Sequence, residues 1–154
     1  MECKKTNQVY ITFPAIPENE KLSRMMAAAF LSDMNPTIEE MDDVKTAVSE
    51  AVTNCIIHAY EKEERFCQSV ELYLSRKGNE LKIIVVDKGR GIENIQQAME
   101  PMFTTRPKEE RSGMGFSFME AFMDELEVES TLGEGTRIHM KKKLGTSAWF
   151  QNED

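Results

Sequence analysis

The residues of this chain best suited to chemistry lie in two segments some thirty positions apart. Glu50 and Asn54 are four positions apart inside an otherwise apolar segment, so on a helix both side chains point to the same place. Asp87 ends an apolar run and is followed by Gly89 and Gly91, which allow a sharp turn and a close approach of the backbone to a ligand. These residue types and spacings predict a proton acceptor, a metal ligand and an acidic side chain that could hydrogen-bond to the base of a nucleotide.

Each side chain suits one part of a site for magnesium and ATP. Mg²⁺ keeps several waters and takes few protein oxygens beside phosphate, a role that the Asn54 carbonyl could fill. Glu50 could accept a proton from a water or hydroxyl attacking the γ-phosphate, and Asp87 could accept from the exocyclic amine of adenine. An exposed helical pair and an ordinary β-turn are the alternatives.

A third segment, from Arg111 to Phe116, has the composition of a phosphate-binding helix start. Gly113 and Gly115 precede good helix formers, and backbone N–H groups at a helix N-terminus favour phosphate oxygens. Arg111 could add a charge-assisted contact to the terminal phosphate, and residues 100–112 could form a lid. The alternative is a helix start with glycines for packing.

Two further residues, Thr136 and Arg24, are candidates with plain alternatives. The sequence Gly135-Thr136 could place a hydroxyl near the Asp87 carboxylate or the adenine, or it could be a turn glycine followed by a strand residue. Arg24 could contact a partner, or it could be a solvated side chain. The chain contains neither a Walker loop nor the HRD and DFG motifs of protein kinases.

Periodicity predicts the elements that must position these residues. The predicted strands cover residues 9–13, 70–74, 81–86, 128–131 and 136–140, and the predicted helices cover residues 18–33, 38–59, 94–99 and 114–125. Thr37 and Glu40 match a capping box at the start of the second helix. The predicted apolar side of the first helix consists of Leu22, Met25, Met26, Ala29 and Phe30, and that of the second begins at Ile38.

The order of these elements predicts an α/β (α+β) fold, a two-layer sandwich in which helices cover one face of a mixed, mostly antiparallel sheet. The length of 154 residues suits one domain over 1–154. The polar tail, from about 141 to 154, is expected to fray.

Composition indicates where the protein works and which classes of partner it is not expected to bind. The net charge of −8 argues against a nucleic-acid binder. No run of about 18 apolar residues could span a bilayer, and the start does not look like a secretory signal, so we expect a cytoplasmic protein away from the membrane. The three cysteines form no CxxC pair, which favours reduced thiols over a zinc site.

The motifs together resemble those of a known family. Glu50-xxx-Asn54, Asp87-x-Gly89-x-Gly91, Gly113-x-Gly115 and Gly135-Thr136 occur in the order of the N, G1, G2 and G3 boxes of the Bergerat-fold (GHKL) ATPases. Within that superfamily the chain is most similar to the anti-sigma factor serine kinases of sporulation. The strongest stretches are 48–60, 103–107 and 110–116, and the resemblance covers about residues 7–143.

The resemblance implies a serine kinase that uses ATP and Mg²⁺. It implies that Asn54 ligates magnesium, that Glu50 is the base with Arg111 as a second catalytic residue, and that Asp87 reads adenine. The other implied nucleotide contacts are Gly89, Gly91, Thr105, Ser112, Gly113, Met114, Gly115 and Thr136. Cys55 departs from the family, which usually has alanine there, and Lys88 and Arg90 make the G1 turn more basic.

The resemblance also implies the partners. The family's proteins are homodimers that sequester a sporulation sigma factor and phosphorylate a serine of an anti-anti-sigma factor, and Arg24 falls where the family has an arginine for partner contact. One alternative is a non-catalytic module that binds ATP and a sigma factor. The other is a histidine-kinase-like ATPase domain, although no phospho-accepting helical hairpin precedes the boxes.

Overall fold

The computed structural model describes residues 5–101 and 114–145, and a five-stranded sheet forms its base. The strands are β1 (Thr6–Pro14), β2 (Ser69–Lys77), β3 (Glu80–Asp87), β4 (Glu125–Thr131) and β5 (Gly135–Lys143). Their order across the sheet is β1-β2-β3-β5-β4, and each neighbouring pair is antiparallel. The predicted two-layer fold is confirmed, with a sheet that is antiparallel throughout the described part of the chain.

Helices cover one face of this sheet. They are α1 (Glu18–Leu31), α2 (Ile38–Asn54), α3 (Ile95–Ala98) and α4 (Gly115–Phe122). Helix α2 packs against both α1 and α4, so it lies in the middle of the helical layer. Along β2, Val70, Leu72 and Leu74 are buried while the intervening residues are half-buried, as expected when only one face is packed under helices.

Helix α2 begins at the predicted capping box. The Thr37 hydroxyl accepts from the Glu40 N–H at 3.0 Å, and the Glu40 carboxylate accepts from the Thr37 N–H at 2.8 Å. The buried face of the helix consists of Val44, Ala47, Val48, Ala51 and Val52. Ile38, predicted as the first member of that face, is instead 85% exposed, and the buried face begins only at Val44.

Helix α1 buries a different face from the one predicted. Its buried residues are Ser23, Ala27 and Leu31, whereas Leu22 is 47% and Met25 57% exposed. Ser23 tolerates burial because its hydroxyl donates to the Glu20 carbonyl at 2.6 Å. Of the predicted side, Phe30 packs partly buried against the core and Met26 is half-buried. The prediction followed hydrophobicity and was wrong for the exposed Leu22, Met25 and Ala29.

The C-terminal elements also differ from the predicted boundaries. Helix α4 ends at Phe122, whose carbonyl accepts from Lys142 Nζ at 2.7 Å. Strand β5 continues through Lys143, and the next residue, Leu144, is fully buried and donates its N–H to the Asn79 carbonyl at 2.9 Å. The first five residues of the predicted frayed tail therefore belong to the folded structure, and residues 146–154 lie outside the described residues.

None of the helices described within 5–101 and 114–145 combines the length and the apolar character needed to cross a membrane.

Candidate nucleotide site

A cavity of about 1010 Å³ brings together residues that are distant in the sequence. Its walls come from the end of α2, the turn after β3, α3, the start of α4 and the β4–β5 hairpin. Five of the predicted site residues line it: Asn54, Asp87, Gly91, Gly115 and Thr136.

One end of the cavity is formed where α4 begins against α2. A Cβ atom placed on Gly115 would lie 3.1 Å from Glu50 Oε2 and 3.3 Å from both Asn54 Nδ2 and Asn54 Oδ1. The space where a Gly115 side chain would lie is therefore bounded by a carboxylate and an amide at once. Only a residue without a side chain leaves those two groups undisplaced, so this end combines an acid, a neutral oxygen ligand and a helix N-terminus.

Asp87 is the buried acidic side chain in another part of the cavity wall. The residue is only 5% exposed, and its Oδ1 accepts from the Gly89 N–H at 3.0 Å and from the Thr136 N–H at 3.2 Å. Burial raises the pKa of the carboxyl, against the opposing effect of hydrogen bonds from Gly89, Cys55 and Thr136. The hydrogen bonds fix the carboxylate's orientation and leave it further capacity to accept from a ligand.

Cys55 supplies one of those hydrogen bonds. It lines the cavity, is almost fully buried and begins a π-helical turn, Cys55–Ala59, that continues α2. Burial, followed by the nearby Asp87 carboxylate, raises the pKa of the thiol well above its usual range. The thiol therefore stays protonated and donates to Asp87, which places the chain's departure from the family pattern at this end of the site.

The two glycines after Asp87 lie where other residues would collide. A Cβ on Gly89 would be 2.2 Å from the Ala59 carbonyl oxygen, which also accepts from the Arg90 N–H at 3.0 Å. Gly91 has φ +75°, and a Cβ there would be 2.3 Å from the Thr131 carbonyl oxygen. The turn is thus packed between the end of α2 and the β4–β5 hairpin.

Two residues that sequence reasoning missed hold this end together. The Tyr60 hydroxyl accepts from the Lys88 N–H at 2.8 Å and donates to the Ser69 carbonyl at 2.9 Å, and burial raises its pKa to about 12. Ser130, which lines the cavity, accepts from the Ile92 N–H at 2.7 Å. Tyr60 ends the stretch 48–60 that carries the resemblance, but no role followed from its place there; Ser130 belongs to none of the motifs, and only the register of β4 and β5 could have identified it.

The remaining predicted residues lie elsewhere. Met114 precedes α4, is half-buried and accepts at its carbonyl from the Phe118 N–H at 2.9 Å, outside the set of residues that line the cavity. Arg24 lies on α1, away from the cavity, with its Nε 3.8 Å from the Glu20 carboxylate. Arg111, Thr105, Ser112 and Gly113, together with most of the predicted lid, lie outside the described residues.

Comparison with known proteins identifies the family of the chain. A family model described as a histidine kinase-like ATPase domain matches residues 13–142. An anti-sigma F factor of Thermoanaerobacter sp. (strain X514) is 52% identical over 141 residues, covering 92% of this chain and 96% of the relative. An anti-sigma F factor of Clostridium kluyveri (strain ATCC 8527) is 54% identical over 136 residues, covering 88% and 94%.

Among solved structures, the crystal structure of the RsbU and RsbW domains of a Mycobacterium tuberculosis protein matches with a TM-score of 0.65 and 19% identity. The match covers 90% of this chain and 32% of that one, so the chain spans about a third of its length, and the likeness concerns the fold alone. An ATPase domain of this type implies ATP binding. Since about half of its residues are identical to those of such relatives over most of its length, the chain belongs to the anti-sigma F factor family and has a histidine kinase-like ATPase domain.

Proposed function

We propose that the protein is a serine kinase that uses Mg-ATP, binds a sporulation sigma factor of the F type and phosphorylates a serine of an anti-anti-sigma factor. The observation that supports this most directly is the contact between Gly115, Glu50 and Asn54. A proton acceptor, an oxygen ligand and a helix start meet at one end of a cavity whose other end contains Asp87.

Glu50 is proposed as the general base. Its Oε2 faces the first residue of α4, the place where N–H groups of a helix start would hold phosphate oxygens. A carboxylate there can accept the proton of a serine hydroxyl as that hydroxyl attacks the γ-phosphate. Transfer then depends on holding the hydroxyl in line, which is mainly a matter of position.

Asn54 is proposed as the magnesium ligand. The described residues contain no group of three or more His, Cys, Asp or Glu side chains that could hold a metal ion, so a cage built from protein acids is not available there. A single amide oxygen, with phosphate oxygens and waters, matches the ligand set that Mg²⁺ prefers. When bound, the ion would offset the charge of the phosphates.

Asp87 is proposed to bind the exocyclic amine of adenine, because its buried carboxylate lines the cavity and can accept further hydrogen bonds. Gly89, Gly91 and Thr136 would shape that part of the cavity. By their place in the sequence, Thr105, Arg111, Ser112, Gly113, Met114 and Gly115 are proposed as contacts to the nucleotide, with Arg111 acting on the terminal phosphate.

The partner proposals rest on the relatives, which are named anti-sigma F factors, and on the surface of α1. Arg24 lies on this helix beside the exposed Leu22 and Met25, a combination of a cation and apolar side chains that is typical of protein contacts. We propose that it contacts a partner, that the protein acts as a homodimer, and that it works in the cytoplasm, where sigma factors bind RNA polymerase.

Transfer of labelled phosphate tests the proposal. With Mg²⁺, labelled ATP and the anti-anti-sigma factor, the wild type should label a serine of the partner. Glu50→Gln should lower the rate at least 100-fold while ADP affinity stays within about threefold, since Glu50 is proposed to act on the hydroxyl. Asp42→Asn, which removes an exposed carboxylate from the same helix, should behave as wild type.

The outcomes separate the alternatives. A wild type that binds ATP and the sigma factor but labels nothing would be a non-catalytic binding module. Label on His58 or His139 of the protein itself would point to histidine-kinase-like chemistry. Equal rates for Glu50→Gln and the wild type would remove Glu50 from the mechanism.

A further inference from the structure

We propose that Ser130 sets the base selectivity of the site by fixing the Thr136 hydroxyl as a hydrogen-bond acceptor, which favours purines with a 6-amino group over those with a 6-oxo group. The inference rests on the proposed function, because it concerns the base of the nucleotide bound in the cavity. It concerns a residue that no box of the family includes.

The Ser130 hydroxyl is surrounded by three polar atoms. The Ile92 N–H donates to Ser130 Oγ at 2.7 Å. The Gly135 carbonyl oxygen lies 3.1 Å away, and Thr136 Oγ1 lies 2.8 Å away. All four residues are at the end of the sheet where β4, β5 and the turn after β3 meet, and both hydroxyl-bearing residues line the cavity.

The number of protons determines the direction of these bonds. A serine hydroxyl has one proton to donate and two lone pairs, and the Gly135 carbonyl can only accept. All three contacts are hydrogen bonds at once only if Ser130 donates to Gly135 and accepts from both Ile92 and Thr136. The single proton of the Thr136 hydroxyl is then committed to Ser130, so Thr136 Oγ1 can offer a ligand only its lone pairs.

The part of the cavity wall that Asp87 and Thr136 form then presents hydrogen-bond acceptors to a ligand. Asp87 contributes a carboxylate whose Oδ1 is already bonded to two N–H groups, and Thr136 contributes a hydroxyl oxygen without a free proton. A 6-amino group can donate to such a surface. A 6-oxo purine also carries a donor at N1, but its 6-carbonyl group would bring one more acceptor against this surface at position 6, and a buried acceptor without a donor is costly.

Removing the Ser130 hydroxyl should release the Thr136 proton. In Ser130→Ala the Thr136 hydroxyl can turn and donate to a 6-carbonyl oxygen, so discrimination should weaken. The measurement is calorimetric binding of ADP and of inosine diphosphate, which replaces the 6-amino group by a 6-carbonyl and the unprotonated N1 by N1–H. We expect wild type to prefer ADP by at least about 100-fold, and Ser130→Ala to reduce this ratio about tenfold.

Two controls separate selectivity from folding. Ser130→Thr keeps the hydroxyl and should keep the ratio within about threefold. Thr131→Ala changes an exposed neighbour in the same strand and should leave both affinities unchanged. If Ser130→Ala weakens ADP and inosine diphosphate equally, Ser130 is a structural residue only and the inference is overturned.

A second test uses the wild type alone and so avoids any folding defect. Purine riboside diphosphate lacks a 6-substituent. It keeps the unprotonated N1 of ADP, so an acceptor surface should bind it more weakly than ADP only because the 6-amino donor is missing. Equal affinities for it and ADP would overturn the inference. Failure of wild type to bind ADP at all would instead refute the proposed nucleotide site.

Discussion

Gly115→Ala should separate the stability of the fold from the activity of the site. The added Cβ would lie 3.1 Å from Glu50 Oε2 and 3.3 Å from both polar atoms of the Asn54 amide. Ordinary contacts to a carbon lie at about 3.5–4.0 Å, so each neighbour must retreat by a few tenths of an ångström. Both are ends of side chains rather than backbone, and they can move.

The effect on stability should be small because two contributions oppose each other. Alanine is the better helix former by up to about 1 kcal/mol in a helix interior, and by less at position 115, where α4 begins. The displaced polar groups offset part of that gain. The free energy of unfolding should therefore change by less than about 1 kcal/mol, which corresponds to a shift in Tm of no more than about 2–4 °C.

The effect on transfer should be large, because the two displaced groups are the proposed base and the proposed metal ligand. Misplacement on this scale lowers rates steeply, with about 100-fold for 1 Å, so a displacement of a few tenths should cost about tenfold. The assay compares phosphate transfer, ADP affinity and Tm in the same preparation. Gly115→Ala should give wild-type Tm with slow transfer.

Gly133→Ala is the contrasting control. Gly133 has φ +82° and nothing within 4 Å of the added Cβ, so alanine there is strained but collides with nothing. It should lose about 1 kcal/mol of stability and keep its transfer rate. If Gly115→Ala transfers phosphate as fast as wild type, the arrangement of Glu50 and Asn54 around the start of α4 does not govern the chemistry.

Three further outcomes follow from the same structure. ADP affinity should fall as pH drops through the raised pKa of Asp87, at a pH above the ordinary aspartate range near about 3.9, and binding should release protons in that window. Asp87→Asn should abolish the dependence. In wild type, ionising this carboxyl costs stability, so its contribution to the free energy of unfolding declines as pH rises through the same window. Iodoacetamide at pH 8 should modify the exposed Cys67 much faster than Cys55, whose thiol is buried with a raised pKa; peptide mass spectrometry measures each rate, and comparable rates would contradict this burial. Thr37→Ala should cost about 1 kcal/mol by breaking the capping box with Glu40, whereas Thr37→Ser should retain it, as read from urea unfolding.

Local signals predicted the elements that depend on local physics. The capping box of α2 is a reciprocal pair of hydrogen bonds three residues apart, so Thr37 and Glu40 identify the helix start without any tertiary information. The spacing of Glu50 and Asn54 similarly implies a shared direction on that helix, and the structure places both against Gly115.

The features that could not be predicted from the sequence, the buried side of α1 and the role of Ser130, depend on tertiary packing. The buried side of α1 includes Ser23, since a hydroxyl bonded to its own helix can be buried, and hydrophobicity alone therefore favoured the exposed Leu22 and Met25. Ser130 lies in a strand of alternating burial, where nothing local distinguishes it from a solvated serine. Its importance arises only from the antiparallel register that brings it opposite Thr136.

The π-helical turn at the end of α2 gives the site a fixed length. Glu50 contacts one end of the cavity, and Ala59, nine positions later, contacts the turn after Asp87 at the other. An α-helix rises about 1.5 Å per residue and a π-helical turn rises less, so the two contacts are at most about 13 Å apart along the helix. Inserting or deleting one residue between them would change the span and rotate one end by about 100° relative to the other, so this segment should tolerate substitution far better than any change in length.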